Sequence, residues 1–191
     1  MKEHEDTTAN PAPLGLMGFG MTTLLLNLHN AGFIALGSVI LAMGIFYGGI
    51  AQVIAGIMEW KKGNTFGTTA FISYGFFWIA VVALLLMPSI GLGITTEPEA
   101  MAWFFGIWGV FSLFMLVGLL RSNRVMQFVF STLTLLFFML AISEATGSGD
   151  IKILAGYVGL LTGAAAVYVA MAEVLHSSLG KEVLPLWPTK Q

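Results

Sequence analysis

The chain has 191 residues, of which 57% are hydrophobic and 9% charged, and its mean hydropathy is +0.88. A soluble domain carries about 25% charged residues, so an ordinary soluble enzyme is excluded and the composition is that of a protein bathed in lipid. The net charge of −2 gives no basic face for nucleic acid; with no cysteine there is no disulfide, thiolate nucleophile or cysteine metal site.

The first ten residues are polar and acidic, unlike a signal peptide, which is basic and then apolar. They lead through Asn10-Pro11-Ala12-Pro13-Leu14 into the first apolar segment. Runs without Asp, Glu, Lys or Arg follow at 7–58, 63–96, 100–120, 125–143 and 153–172. A helix crosses the ~30 Å hydrocarbon layer with roughly 20 apolar residues. Each of the last four runs therefore holds one crossing. The first holds two, parted by His29-Asn30-Ala31-Gly32. The expectation is an all-α membrane protein with six helices near 14–28, 34–59, 64–87, 101–120, 125–144 and 152–175. A tail over 1–13, a transmembrane domain over 14–176 and a second tail over 177–191 complete the division. A membrane β-barrel would alternate every second residue, and the run 81–86, Val-Val-Ala-Leu-Leu-Leu, does not.

The basic residues set the orientation. Lys2, Lys61, Lys62, Arg121, Arg124, Lys181 and Lys190 fall on the side shared by the two termini and Lys152 on the other, which makes both termini cytoplasmic by the positive-inside rule. Trp60 and Trp103 stand at predicted helix ends, where an amphipathic ring prefers the headgroup layer.

Small residues recur in register. Gly44, Gly48, Gln52 and Gly56 are spaced by four, and Gly156, Gly159 and Gly163 run into Ala164-Ala165-Ala166. This spacing lets helix backbones approach closely in lipid, within a subunit or between subunits. Gln52 on such a face is either interhelical glue or part of a polar relay. The hydroxyls inside the spans, Thr22, Thr23, Thr68, Thr69, Ser73, Ser112, Ser131, Thr132 and Thr134, either bond their own helix backbone or face a solute. All but Ser112 fall on the first, third and fifth helices, which singles out Thr22, Ser73 and Thr132. His29, Glu59, Glu144 and Glu173 lie near predicted helix ends, where ionisable groups are functional candidates or simply solvated. Three scattered histidines do not converge on a metal, and no cofactor is expected. Asn10-Pro11 makes a sharp helix start. Its free N–H groups either attract an anion or remain a plain cap.

The segment Asn10-Pro11-Ala12-Pro13-Leu14-Gly15-Leu16, continuing as Met17-Gly18-Phe19-Gly20, resembles the signature of the acetate uptake transporter family. The likeness runs through Asn27-Leu28-His29-Asn30, 42–49 and Gly63-Asn64-Thr65-Phe66-Gly67, and the chain closely resembles the bacterial succinate–acetate permeases over residues 9–185. The resemblance implies a six-helix protomer in the cytoplasmic (inner) membrane, assembled as a homo-hexameric ring, with a path for acetate and succinate through each subunit. It also implies a constriction formed by Phe19, Tyr74 and Leu133.

A carboxylate cannot enter lipid bare, so a path must replace water with donors. Asn10, Thr22, Ser73 and Thr132 are the expected donors, with the Tyr74 phenol beside the neck. His29, Gln52 and Glu144 are the candidate proton or polar relay. Channel-like anion permeation is favoured because no paired inverted repeat with broken helices is visible; proton symport through Glu144 or His29 is the alternative. A water or glycerol channel would need a second Asn-Pro-Ala, which is absent. An intramembrane serine protease would have to use Ser148, in Gly147-Ser148-Gly149, and His176.

Overall fold

The computed structural model describes residues 8–92 and 96–189. Lys2 and Lys190, used above for orientation, lie outside the described residues. The elements are α1 (Ala12–Asn30), α2 (Ser38–Ile45), a π-helical stretch (Phe46–Ala51), α3 (Gln52–Lys61), α4 (Thr65–Leu86), a 3-10 turn (Pro88–Ile90), α5 (Pro98–Gly118), α6 (Arg124–Thr146) and α7 (Gly149–Leu179). No strand occurs among the described residues. Five segments are long and apolar enough to cross a membrane: Ser38–Lys61, Thr65–Leu86, Pro98–Gly118, Arg124–Thr146 and Gly149–Leu179. The 19 residues of α1 rise about 28 Å, but they include Thr22, Thr23 and Asn27, which make the segment less apolar and are buried inside the bundle.

Helix ends follow local chemistry. Asn64 and Asn123 accept the Gly67 and Met126 N–H groups at 3.0 and 2.8 Å, which starts α4 and α6. The polar break between the first two expected spans is the end of α1, with Gly32 at φ 83° making the turn. The second span starts at Ser38 rather than near 34, because 31–37 form the connection.

The main departure from the expected helices lies in that second span. It forms a continuous rod over Ser38–Lys61 whose middle widens into six π-helical residues. In a uniform α-helix Gly44, Gly48 and Gln52 would share one stripe. In the wider π turn, Gly48 instead meets Thr22 of α1 while Gly49 meets Ile79 of α4, and Gln52 is 1% exposed. A π turn inside an α-helix often marks a functional position.

The other glycine row packs within the subunit. A methyl on Gly159 would overlap the Asn27 side chain, and one on Gly156 would overlap the backbone at Ala31. These contacts let α1 and α7 form the most extensive helix pair of the bundle.

The fold has two distinct ends. One end gathers the starts of α1, α4 and α6 together with the chain after α7. There Lys62 donates to the Thr8 carbonyl at 3.0 Å, and the Arg124 N–H donates to Trp187 O at 3.0 Å. The opposite end carries His29, Glu144 and Lys152. Below these are the tail end and the far end.

Candidate functional site

Phe19 of α1, Tyr74 of α4 and Leu133 of α6 converge in the centre of the bundle, each no more than 6% exposed. Phe19 is nine residues past Asn10, Tyr74 ten past Asn64 and Leu133 ten past Asn123. Counted from the observed helix starts, their depths are about 10, 14 and 14 Å, so the three form one layer. The rings of Phe19 and Tyr74 lie 5.9 Å apart at 48°.

Two cavities approach this layer from opposite ends. The far cavity, about 370 Å³, runs from His29, Glu144 and Lys152 down to Phe19 and Leu133. The tail cavity, about 190 Å³, runs from Asn64, Asn123 and Glu173 up to Phe19, Tyr74 and Leu133. Phe19 and Leu133 therefore belong to the walls of both.

Much of the polar lining differs from the expected set. Thr22 lines neither cavity; its hydroxyl points to Met43 O at 3.4 Å, against the π stretch. Ser73 also lines neither. Thr132 donates to its own helix at Phe128 O and Val129 O, 2.9 and 3.1 Å away. The neighbour of each holds the useful position: Thr23, Tyr74 and Leu133 face the cavities. One residue along a helix turns a side chain by about 100°, so an error of one position moves a donor off the path.

The Tyr74 hydroxyl lies 2.8 Å from Ser112 Oγ, and Ser112 in turn donates to Trp108 O at 2.8 Å. With the serine proton committed to Trp108, the phenol must donate to Ser112. Its ring faces the path while its proton ties α4 to α5, contrary to the expected role of a free donor.

Among the donors in the far cavity, sequence reasoning named Thr23 with the other hydroxyls without singling it out, and missed Trp78. Thr23 Oγ1 and Trp78 Nε1 are buried with no hydrogen-bond partner, and both residues line the cavity. Unpartnered buried polar atoms are rare and call for an explanation. Asn27 and Asn30 line the same cavity, but Asn27 Nδ2 donates to Thr23 O at 2.9 Å and Asn30 Nδ2 to Asn27 Oδ1 at 3.1 Å. Of the expected relay, His29 Nδ1 contacts Ile34 O at 3.1 Å, and Glu144 forms an ion pair with Lys152 at 3.7 Å. Gln52 lines the tail cavity with an unpartnered Oε1.

Asn10 binds one of the protein's own carboxylates. Its Oδ1 accepts the Ala12 N–H at 3.0 Å, and its Nδ2 donates to Glu173 Oε2 at 2.9 Å. Asn64 repeats the pattern, donating to Glu59 Oε2 at 2.7 Å while it caps α4. A methyl on Gly67 would fall 2.7 Å from that amide and 2.9 Å from the Glu59 carboxyl carbon. The glycine thus makes room for the pair. The recurrence of Asn before α1, α4 and α6, at nearly equal distance from the neck residues, was the sequence signal for this arrangement.

The sequence pattern of the GPR1/FUN34/yaaH family matches residues 1–188. The chain belongs to this family. An Escherichia coli (strain K12) relative, named succinate-acetate/proton symporter SatP, is 59% identical over 178 residues, covering 93% of this chain and 95% of that one. Acetate permease A of Emericella nidulans is 37% identical over 196 residues, covering 93% of this chain and 65% of the permease. A solved structure described as the bacterial acetate channel SatP superposes with a TM-score of 0.93 at 58% identity, covering 94% of this chain and 99% of that one. This GPR1/FUN34/yaaH member therefore shares both sequence and backbone with relatives named as carboxylate transporters. The protease alternative is also removed by its own geometry. Ser148 caps the start of α7 and His176 lies near its end, about 42 Å away along the axis, far beyond hydrogen-bond reach.

Proposed function

We propose that this protein carries acetate, and succinate, across the cytoplasmic membrane through a path inside each subunit. The observation that carries the reading is that Phe19 and Leu133 are walls of both cavities: a solute moving from one to the other passes between them, beside Tyr74. In this reading α1 is the sixth crossing and both termini are cytoplasmic, with Lys61, Lys62, Arg121, Arg124 and Lys181 at the tail end and Lys152 at the far end. Subunits assemble as a homo-hexamer, each with its own path, surrounded by lipid.

A carboxylate enters the far cavity attracted by Lys152 and is held by the Thr23 hydroxyl and the Trp78 indole N–H. Neither donor has a competing protein acceptor. No lysine or arginine stands at the neck to trap the anion, which suits conduction, because binding must admit the solute and still release it. Phe19, Tyr74 and Leu133 strip water and exclude longer acids. Beyond them Gln52, Asn64 and Asn123 line the tail cavity, where the N-terminal ends of α4 and α6 favour negative charge.

Labelled acetate uptake by the purified protein in liposomes, corrected for protein-free vesicles, tests the reading. Protein-dependent flux that excess succinate reduces is expected. Flux equal to that of empty vesicles would overturn it.

A further inference from the structure

The chain after α7 lies outside the transport path, yet it is tied down. Residues 183–189 carry no regular secondary structure, and Pro185 and Pro188 keep them from joining a helix. Three bonds hold them across the tail end. The Tyr168 hydroxyl of α7 donates to Pro185 O at 3.0 Å, the Arg124 N–H at the start of α6 donates to Trp187 O at 3.0 Å, and Thr189 Oγ1 donates to Arg121 O at 2.9 Å. Between these bonds Leu186 packs against the buried cluster of Leu16, Phe71 and Val169. Among the described residues Trp187 is the only non-glycine at positive φ, 50°. A bulky residue holds that costly conformation only where its surroundings impose it.

Two of the bonds converge on one loop. Residues 119–123 join α5 to α6, and Leu119, Ser122 and Asn123 line the tail cavity. On one side the Gln127 amide donates to the Leu119, Leu120 and Ser122 carbonyls at 3.2, 3.0 and 3.3 Å. On the other side the strap grips the backbone at Arg121 and Arg124. Leu16, in the cluster that receives Leu186, also lines the cavity.

We propose that the strap 183–189 is a latch on the tail mouth: it holds the 119–123 loop against the cavity, and its release widens the entrance. The strap lines no part of the cavity itself, so its role is to position the loop. A mostly exposed segment held by three bonds and one packed side chain opens at far lower cost than the bundle unfolds. As a control on solute passage the latch rests on the transport reading above; as a control on the aperture it rests on the geometry alone.

The protein contains no cysteine, so a single Ala70→Cys reports the aperture. Ala70 lines the tail cavity and is 4% exposed. Its modification by methanethiosulfonate ethylsulfonate, an anionic thiol reagent, is timed by mass spectrometry on the purified full-length protein. Arg124→Pro removes the N–H that holds Trp187. Arg124 is the first residue of α6, where proline is tolerated, and Asn123 at ψ 156° already has the backbone that precedes one. This variant should raise the labelling rate several-fold, and Thr189→Val should raise it less. Arg124→Ala keeps the N–H, loses only the side-chain bond to Gln127, and should label at the parent rate. Equal rates in all forms, a rise in Arg124→Ala that matches Arg124→Pro, or a cysteine unreactive throughout overturns the latch. Should Arg124→Pro fail to insert, Thr189→Val, outside every helix, decides alone. Labelling needs no flux, so acetate flux equal to that of empty vesicles refutes the transport reading only. Normal flux with unaltered labelling refutes only the latch.

Discussion

The two cavities meet at one layer yet are built on different chemistry. The far cavity holds the Lys152–Glu144 ion pair and two donors without acceptors, Thr23 and Trp78. The tail cavity lies at the asparagine-capped starts of α4 and α6 and is lined by Glu173, which the Asn10 amide grips as the Asn64 amide grips Glu59, and by Gln52 with an acceptor lacking a donor. One side offers protons in hydrogen bonds to an arriving anion, and the other is short of them. The two ends thus differ in kind: unpartnered donors beside an ion pair at the far end, and amides already bonded to carboxylates at the tail end.

Removing the far donors should have the largest effect. Thr23→Val together with Trp78→Phe breaks no protein hydrogen bond, so the fold should stand while acetate flux falls about tenfold, equivalent to about 1.4 kcal/mol of lost stabilisation. Flux kinetics beside a thermal melt separate the two; an unchanged rate would mean the orphan donors never meet the solute. Lys152→Gln is milder. Uptake from the far side should drop a few-fold at low acetate with little change at saturation, and its dependence on ionic strength should flatten. A uniform loss of maximal rate would point to damage of the Glu144 ion pair rather than to steering.

Tyr74→Phe should act least on transport. The phenol is committed to Ser112, so the substitution removes about 1 kcal/mol of stability and leaves flux within twofold. A large loss of flux at unchanged melting temperature would show that the hydroxyl turns toward the solute.

How far the sequence foretold this comparison depended on the kind of signal. Long apolar runs broken by clustered charges placed the helices to within a few residues, because lipid imposes length and hydropathy on each span. The family resemblance picked out Phe19, Tyr74 and Leu133, and equal distances from Asn10, Asn64 and Asn123 explain why they share a depth. The polar lining was not legible. Thr22 and Thr23 are alike in type and adjacent in sequence, yet only Thr23 faces the path, and that choice is made by helix rotation against neighbours such as Gly48. Gln52 reaches the cavity beside a π turn that no spacing rule over 44–56 announces. The bond from Asn10 to Glu173 joins the start of α1 to α7, a long-range pairing that linear sequence does not display.

The central claim is that solute passes within one subunit between Phe19 and Leu133, and Phe19→Ala tests it most directly. Protein-dependent flux of acetate, propionate and butyrate is compared in liposomes for the wild type and for the variant shown to melt normally. Widening the neck should raise the butyrate-to-acetate ratio several-fold. A ratio identical to that of the wild type would place the path elsewhere and contradict the account.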